Sequence, residues 1–215
     1  IAPSMDFLGL KNLNMLQQII TLIKKKSDPT FDLTAIDFND AKTYEMIAKG
    51  QTTGVFQLES EGMRQVLKKV CPTSLEDIVA CNALFRPGPM ESIPLFAARK
   101  HHEQPVDYYH PSLQGILHNT YGIIVYQEQI MQIANVVSGY TLGEADVLRR
   151  AVSKKKKDVL EEEERKFVAK AVERGYPIEI ASQLYALILK FANYGFNRSH
   201  AVAYSMIAYQ MAYLK

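Results

Sequence analysis

The residues whose types suit chemistry best lie near the C-terminal end of the sequence, where a helix is expected to begin. They are Tyr194, Phe196, Asn197, Arg198, Ser199 and His200, within the stretch NYGFNRSH. Asn197 or Ser199 can cap a helix that runs onward from about residue 200. The free N–H groups of such a helix start attract anions, and Arg198 and His200 would lie beside them. With two aromatic faces for a base or sugar, the set favours a nucleotide site, and an ordinary capped helix junction is the alternative.

A second candidate site is the basic segment that begins at Arg149. Arg149 and Arg150, with the four lysines that follow, place six cations within nine residues, and an acidic block comes next. Adjacent arginines cannot both lie on one helix face, yet two guanidinium forks at one spot suit phosphate oxygens. Lys154, Lys155 and Lys156 are the candidate DNA-binding residues. The alternative is a solvated helix face held by charge pairs four residues apart.

The stretch LFRPGPM is expected to form a rigid corner after a helix. Pro87 and Pro89 fix φ and disfavour helix at the residue before each of them, and Gly88 permits a tight turn. Arg86 would therefore be presented at little entropic cost, which makes it a candidate binding residue. A plain turn that ends a helix is the alternative.

One acidic residue near the N-terminal end is a candidate metal ligand. Asp6 precedes an apolar stretch and a glycine, and a carboxylate at a strand edge suits Mg²⁺. One carboxylate does not hold two metal ions, so the further ligands would have to come from elsewhere. A turn or cap residue is the alternative. The histidines of the polar loop region lack paired ligand spacing and predict no metal site.

Helical periodicity dominates the elements that must position these residues. Besides the helix from about residue 200, helices are predicted at 10–26, 60–70, 74–85, 127–138, 143–152, 158–174 and 177–192. Ser60 is a predicted N-cap, and Ser74 with Asp77 forms a weaker version of the capping box. Strand-like runs are few, at 4–10, 53–59 and 122–127. The expected fold is mainly α, with a few short strands.

Composition narrows the class of protein. The chain has 215 residues, a formal net charge of +2 and 47% hydrophobic residues, as expected for a globular protein with a real core. Nucleic-acid binding would therefore depend on local basic patches. Cys71 and Cys81 are too few for a disulfide scaffold, which favours reduced thiols in the cytosol. No apolar run is long enough for a membrane span, and the abrupt ends predict a piece of a longer protein.

Six stretches, taken in order, resemble one known family. They are MDFLGL, TTGVFQLESEGMRQVLKK, ALFRPGPM, YGIIVYQEQIMQIA, SGYTLGEADVLRRA and FANYGFNRSHAVAYS. Their order and length are similar to those of the alpha subunit of bacterial DNA polymerase III, a family C polymerase, from Met5 to Lys215. The resemblance implies the C-terminal edge of a palm domain at residues 1–11, with an edge strand, and a helical fingers domain at 12–215. It also implies that most of a much larger enzyme lies outside this chain.

The resemblance implies roles for single residues as well. Asp6 matches the third palm aspartate, which helps bind catalytic Mg²⁺ together with two aspartates upstream of this chain. Arg149 and Arg150 match an arginine pair near the triphosphate of the incoming nucleotide. Ser199 and His200 match positions beside the nucleotide's sugar, where the family screens against ribose.

The remaining candidate residues follow from the same resemblance. Tyr194, Asn197 and Arg198 match the loop around the nucleotide, and Arg86 matches an ordered arginine near the active-site cleft. Ser4 departs from the family, which usually has a lysine two residues before the aspartate. Either the natural protein has Ser4 in that place and lacks one phosphate contact of the family, or the first residues of this sequence are not the natural ones.

The implied function is that of a DNA-directed DNA polymerase, a nucleotidyltransferase that adds deoxynucleotides to a primer 3′ end with Mg²⁺ as cofactor. The implied partners are primer–template DNA, the incoming dNTP and, in the intact enzyme, the sliding clamp, clamp loader and proofreading exonuclease, with no membrane. The expected location is the cytoplasm, at the nucleoid. The isolated chain is expected to be inactive, because two metal-binding aspartates would lie outside it.

Two other classes of function are open at this point. Ser4 favours a non-catalytic, helical nucleic-acid-binding module of an inactive polymerase homologue, in which the basic stretch 149–157 only touches phosphates. A purely structural helical scaffold would bind neither DNA nor nucleotide. Salt-dependent DNA binding would fit both nucleic-acid hypotheses, whereas primer extension would fit only the polymerase.

Overall fold

The computed structural model describes residues 11–153, 157–191 and 194–215 of the chain. Within these ranges the backbone forms α-helices, short 3-10 turns and loops, with no strand. The helices are α1 (Lys11–Lys26), α2 (Ala41–Ala48), α3 (Glu61–Val70), α4 (Leu75–Leu84), α5 (Ile93–Lys100), α6 (Gln114–Leu117), α7 (Gln127–Ser138), α8 (Leu142–Ser153), α9 (Lys157–Glu173), α10 (Ile178–Phe191) and α11 (Arg198–Tyr213). The prediction of a mainly α fold is confirmed.

The helix starts follow the local chemistry of the sequence. The Ser60 hydroxyl accepts a hydrogen bond from the N–H of Met63 and so caps α3. At α4, the Ser74 hydroxyl accepts from the N–H of Asp77, and the Asp77 carboxylate accepts in return from the N–H of Ser74. Both predicted caps are therefore confirmed. The predicted helices at 127–138, 143–152, 158–174 and 177–192 agree with α7 to α10 within about two residues.

The strand predictions inside the described ranges are wrong. Residues 53–59 form successive turns, in which the N–H of Val55 donates to the carbonyl of Thr52 and the N–H of Leu58 to that of Val55. The apolar side chains of this run are buried in the core, but the backbone that carries them forms turns and pairs with no strand. The segment 122–127 holds a single parallel bridge, between Tyr126 and Phe196. The predicted strand at 4–10 lies outside the described residues.

The apolar segment 123–126 resembles a strand because it runs between two hydrophobic cores. Ile123, Val125 and Tyr126 are buried in one core, whereas Ile124 is buried in the other. Side chains that alternate between two cores, as those of Ile123, Ile124 and Val125 do, make a segment read as continuously apolar, and Tyr126 extends the run within the first core. The β-like pattern therefore reflects burial on both faces.

The first core lies among α2 to α5 and α11. Its fully buried side chains include Ile47, Leu58, Leu67, Ile78 and Phe96, and α11 adds Ala208 and Tyr209. Helix α11 packs most extensively on α4. Burying each large apolar side chain contributes about 1.5–3 kcal/mol, so this packing holds the start of α11 in place.

The second core lies among α6 to α10. Its fully buried side chains include Ile130, Phe167, Leu184, Tyr185 and Ile188. The Phe167 ring lies between the rings of Tyr140 and Tyr185, with centroid distances of 6.1 and 5.6 Å. This core carries α8, on which Arg149 and Arg150 lie.

Helix length is modest throughout the part of the chain that the structure covers. The helix α9 has 17 residues, and α1 and α11 have 16 each. A membrane-crossing helix would need more length and more apolar character than any of the described helices has.

Candidate functional site

The loop before α11 is fixed by pairing with the extended segment that precedes α7. The N–H of Gln127 donates to the carbonyl of Phe196 at 2.9 Å, and the N–H of Phe196 donates to the carbonyl of Val125 at 3.0 Å. The Gln127 side chain adds a bond to the carbonyl of Gly195 at 3.0 Å. A Cβ at Gly195 would lie 3.2 Å from the backbone nitrogen of Gln127. Glycine therefore allows this close approach.

A buried glutamine anchors the segment to which the loop is paired. The Gln129 side-chain oxygen accepts from the N–H of Val125 at 2.8 Å and of Tyr126 at 3.0 Å. Its nitrogen donates to the Thr120 hydroxyl at 2.9 Å and to the carbonyl of Ile116 at 3.1 Å. All polar atoms of this buried amide thus have partners, and such a network rigidifies its surroundings.

Asn197 caps α11, which begins at Arg198. The Asn197 side-chain oxygen accepts a hydrogen bond from the N–H of His200 at 2.9 Å. The prediction of a capped helix start in this stretch is confirmed, with Asn197 rather than Ser199 as the capping residue.

The expectation of free donors at this helix start is wrong for Arg198, whose backbone N–H and guanidinium both have acidic partners. Both carboxylate oxygens of Glu128 lie 3.1 Å from the N–H of Arg198. The Arg198 guanidinium pairs with the Glu76 carboxylate at 2.5 Å. Glu128 and Glu76 were not identified from the sequence, because both lie far from Arg198 along the chain. The role of Arg198 toward a nucleotide stays a prediction.

Five side chains stack into one column along α11. The Arg86 guanidinium lies 4.6 Å from the centre of the Phe196 ring, and Phe196 lies 5.7 Å from the His200 ring. The His200 and Tyr204 rings are 4.1 Å apart, and the Tyr204 and Phe56 rings are 5.2 Å apart. His200 and Tyr204 are four residues apart on α11, the spacing that places side chains on one helix face, and Phe196 precedes the helix by two residues. His200 therefore has an aromatic neighbour on each side, Phe196 and Tyr204.

Arg86 ties the corner after α4 to the loop before α11. Its Nε donates to the carbonyl of Ala83 at 2.9 Å, and its Nη2 donates to the carbonyl of Tyr194. Burial lowers the pKa of this guanidinium. Gly88 has φ of 97°, and a Cβ there would lie 2.5 Å from the Tyr194 ring. The RPG corner and Tyr194 are therefore packed together, and this packing gives Arg86 a structural role in addition to any role in binding.

Ser199 and His200 line two different cavities at the first turn of α11. Ser199 lines a polar cavity of about 320 Å³ together with Glu128, Gln132 and Arg198. His200 lines a cavity of about 80 Å³ with the aromatic side chains of Phe196 and Tyr204.

The aromatic cavity continues toward residues that were not identified from the sequence. Gln57 and Asn82 line it, and both also line a neighbouring cavity of about 370 Å³ beside Phe56. Gln57 lies in one of the turns at 53–59, which the sequence pattern presents as a strand. A prediction of alternating strand faces therefore gave no reason to place Gln57 near His200.

On α8, Arg149 and Arg150 both bond to Asp146. Nη2 of Arg149 lies 2.9 Å from one oxygen of that carboxylate, and Nη2 of Arg150 lies 2.5 Å from the other. These bonds lower the pKa of the Asp146 carboxyl. The two guanidinium groups thus converge on one carboxylate, although adjacent helix positions point in different directions. The Arg150 side chain is 69% exposed and that of Arg149 is 22% exposed.

The metal and DNA predictions rest on residues outside the described ranges. Asp6, Lys154, Lys155 and Lys156 all lie there. Within 11–153, 157–191 and 194–215, no group of three or more His, Cys, Asp or Glu side chains could hold a metal ion. The assignment of Mg²⁺ to Asp6 stays a prediction.

Comparison with known proteins gives one consistent result. The family model described as "Bacterial DNA polymerase III alpha subunit finger domain" matches residues 12–175. The chain is 59% identical over 211 residues to the DNA polymerase III subunit alpha of Bacillus subtilis (strain 168), an alignment that covers 98% of this chain and 19% of the relative. It is 56% identical to the corresponding protein of Halalkalibacterium halodurans, again over 98% and 19% of the two chains. It is 54% identical to that of Staphylococcus aureus (strain COL), over 98% and 20%. The chain thus spans about a fifth of the length of these relatives.

Proposed function

Because this chain belongs to the bacterial DNA polymerase III alpha subunit family and forms part of its fingers, we propose that it faces the incoming nucleotide of a DNA-directed DNA polymerase. The intact protein would add deoxynucleotides to a primer 3′ end. Residues 1–11 would be the edge of the palm domain and 12–215 the fingers. The observation that carries the proposal is the first turn of α11, where a polar cavity beside Ser199 meets an aromatic column that contains His200.

These two surroundings suit the two parts of a nucleoside. The polar cavity beside Ser199 offers side-chain acceptors and donors for sugar hydroxyls, and the Glu128 carboxylate in it disfavours a phosphate. The His200 and Tyr204 rings already have ring neighbours, so the column offers its aromatic side as a surface along which a base can lie. We therefore assign the sugar to the start of α11 and the base to the side of the column, with Tyr194, Asn197 and Arg198 shaping the loop between them.

The triphosphate is assigned to Arg149 and Arg150. Phosphoryl transfer depends on positioning and on compensation of negative charge, and the two arginines supply fork-shaped donors for both tasks. Asp146 holds the two guanidinium groups together, so they are oriented before the triphosphate arrives. Arg86 fixes the loop at Tyr194 and so would support the start of α11, where the sugar is assigned.

The metal chemistry is assigned to Asp6 together with two aspartates that the resemblance places upstream of this chain. Bound Mg²⁺ would activate the primer hydroxyl and neutralise charge on the departing pyrophosphate. Lys154, Lys155 and Lys156 would contact backbone phosphates of primer–template DNA, which is a sequence-independent interaction. In the intact protein the partners would be the sliding clamp, the clamp loader and the proofreading exonuclease, at the nucleoid in the cytoplasm.

Ser4 favours a second candidate function. The family usually has a lysine at that place, and a serine supplies no cation for phosphate. The parent would then be an inactive homologue, and this region a helical module that binds nucleic acid without catalysis.

Primer extension by the full-length parent tests the proposal. We expect the wild type to extend and Asp6→Asn to lose extension, with Asp28→Asn, an exposed aspartate in a turn, as the matched control. If neither the wild type nor Asp6→Asn extends, the binding module is favoured. Equal extension by both would show that the active site is placed wrongly. His200→Ala should change deoxynucleotide use or the exclusion of ribonucleotides, and the assigned role of His200 is wrong if both stay the same.

A further inference from the structure

The turn at Gln57 holds one polar side chain beside the aromatic column of α11. We propose that Gln57 is a further nucleotide-contacting residue, whose side-chain amide donates a hydrogen bond to the base on its sugar side. This inference rests on the proposed function, because it takes the sugar of the incoming nucleotide to lie at Ser199 and His200.

The backbone of Gln57 is held in an uncommon conformation. Its φ is 63°, in the left-handed region that few residues other than glycine adopt. Val55 and Leu58 on either side are fully buried, and the Thr52 hydroxyl donates to the carbonyl of Leu58 at 2.5 Å. Such conformations persist where the surroundings fix them, and they cluster at functional sites. Here the fixed surroundings direct an exposed glutamine side chain away from the core.

Two side-chain amides beside the column, those of Gln57 and Asn82, have donors or acceptors without a partner in the described part of the chain. Gln57 and His200 line the same cavity. Among the described residues, none forms a hydrogen bond with the Gln57 side-chain amide, so both its donor and its acceptor are available to a bound group. Asn82 lines the same cavity, and its nitrogen donates to the Ser205 hydroxyl at 2.8 Å. The other end of that amide, Oδ1, is buried without a partner in the described part of the chain. A buried polar atom without a partner is a rare arrangement that calls for an explanation, and a bound group with a donor would supply one.

The shared position of Gln57 indicates the shape of the bound group. Gln57 and Asn82 line both the cavity of about 80 Å³ at His200 and the cavity of about 370 Å³ at Phe56. A flat group lying along the column would pass from one cavity to the other and would meet Gln57 on the way.

The chemistry of the four bases identifies the atom that Gln57 can use. A polymerase must accept every base, so a fixed donor can serve only an acceptor that all four bases share. The major-groove edges differ from base to base, whereas on the minor-groove edge the purine N3 and the pyrimidine O2 are both acceptors. These atoms are next to the glycosidic bond, on the side of the base nearest the sugar. The glutamine amide supplies the donor that they require.

A nucleotide that lacks this acceptor tests the proposal in the full-length parent. Single-turnover incorporation of dATP and of 3-deaza-dATP opposite a template thymine would be measured for the wild type, Gln57→Ala and Gln57→Gly. We expect the wild type to use the analogue about tenfold more slowly than dATP, as befits one lost hydrogen bond. Both variants should use dATP about tenfold more slowly than the wild type and show little further loss with the analogue.

Controls separate a lost contact from a damaged fold. Gln57→Gly removes the side chain while it favours the observed backbone, so a loss shared with Gln57→Ala does not come from strain. Gln51→Ala changes an exposed glutamine nearby in the chain and should keep the wild-type preference for dATP. Equal penalties for the analogue in the wild type and Gln57→Ala, or no penalty in the wild type, would overturn the inference while the proposed function stands. Failure of the wild type to incorporate dATP at all would overturn the proposed function as well.

Discussion

Glu128 and Arg198 are 70 positions apart in the chain, yet both carboxylate oxygens of Glu128 lie 3.1 Å from the backbone N–H of Arg198. Two N–H groups in the first turn of α11 therefore have side-chain acceptors. Glu128 accepts from the N–H of Arg198, and the Asn197 side chain accepts from the N–H of His200. An internal carboxylate at a helix start opposes the partial positive charge there, as a bound anion would. The second core, through Glu128 on α7, thus stabilises the helix start that the first core positions.

We expect Glu128→Ala in the full-length parent to loosen the first turn of α11. Loss of a capping carboxylate costs about 1 kcal/mol, which corresponds to about fivefold faster local opening. Hydrogen–deuterium exchange of peptides that cover residues 196–204 measures this opening without assuming that the whole protein unfolds in one step. Glu128→Gln keeps an uncharged acceptor and should lose less. Glu103→Ala, at an exposed glutamate, is the control, and equal exchange in all three variants would contradict the assigned role of Glu128.

Arg149→Ala and Arg150→Ala test the assignment of the triphosphate. Each change should raise the KM for dNTP by about tenfold, because each removes a charged hydrogen-bond donor. Each change should also weaken the binding of inorganic triphosphate, measured as a competitor of dNTP, since the assigned contacts do not involve the base. Arg165→Ala removes an arginine of α9 whose Nε bonds to the carbonyl of Glu161, and should leave KM unchanged. An effect of the same size from Arg165→Ala would mean that only net charge matters.

The sequence predicts the parts of this fold that depend on neighbouring residues. Ser60, Ser74 and Asn197 cap helices because each acceptor lies three residues before the N–H that it receives. The contacts that build the site have no such local pattern. Arg86 bonds to the carbonyl of Tyr194 over a separation of 108 residues, and that separation leaves no periodicity in the sequence.

Local patterns also mislead where burial has an unexpected cause. The run 53–59 has the apolar and β-branched residues of a strand, but its side chains reach the core from successive turns. As a result, Gln57 lies beside His200, a position that strand alternation does not predict. The segment 122–127 is apolar because it separates two cores, and only Tyr126 forms a bridge.

Ionisation of Tyr121 is expected to make the stability of the fold depend on pH in alkaline solution. Burial first, and then the nearby Asp77 carboxylate, raise the pKa of Tyr121 from 10.0 to about 12. The Tyr121 hydroxyl donates to Asp77 at 3.3 Å, and Asp77 also forms a buried ion pair with Lys100 at 3.3 Å. Since the folded pKa is above the unfolded one, the neutral phenol stabilises the fold below pH 10. This contribution is lost as the pH rises from 10 to 12.

We therefore expect Tyr121→Phe to have a lower midpoint of thermal unfolding than the wild-type parent at pH 8. The difference between the two midpoints should become smaller above pH 10. The phenolate absorbance of the wild type minus that of Tyr121→Phe should titrate with a midpoint near 12. Tyr213→Phe, at an exposed tyrosine, is the control for removal of one hydroxyl. A difference in thermal midpoint that does not change with pH would show that Tyr121 contributes through packing alone.

Gly88→Ala tests whether the corner after α4 positions Tyr194 for function. Gly88 and Gly175 have φ of 97° and 89°, so an alanine at either position meets backbone strain of about 1 kcal/mol. Only at Gly88 would the new Cβ also clash, since it would lie 2.5 Å from the Tyr194 ring, whereas no atom lies within 4 Å at Gly175.

Because the Arg86 guanidinium bonds to the carbonyl of Tyr194, displacement of that ring should disturb the whole loop before α11. We expect Gly88→Ala to reduce kcat/KM for dNTP incorporation by about tenfold or more and Gly175→Ala to leave it near the wild-type value. Similar losses from both changes would mean that backbone strain, rather than the contact with Tyr194, explains the requirement for glycine.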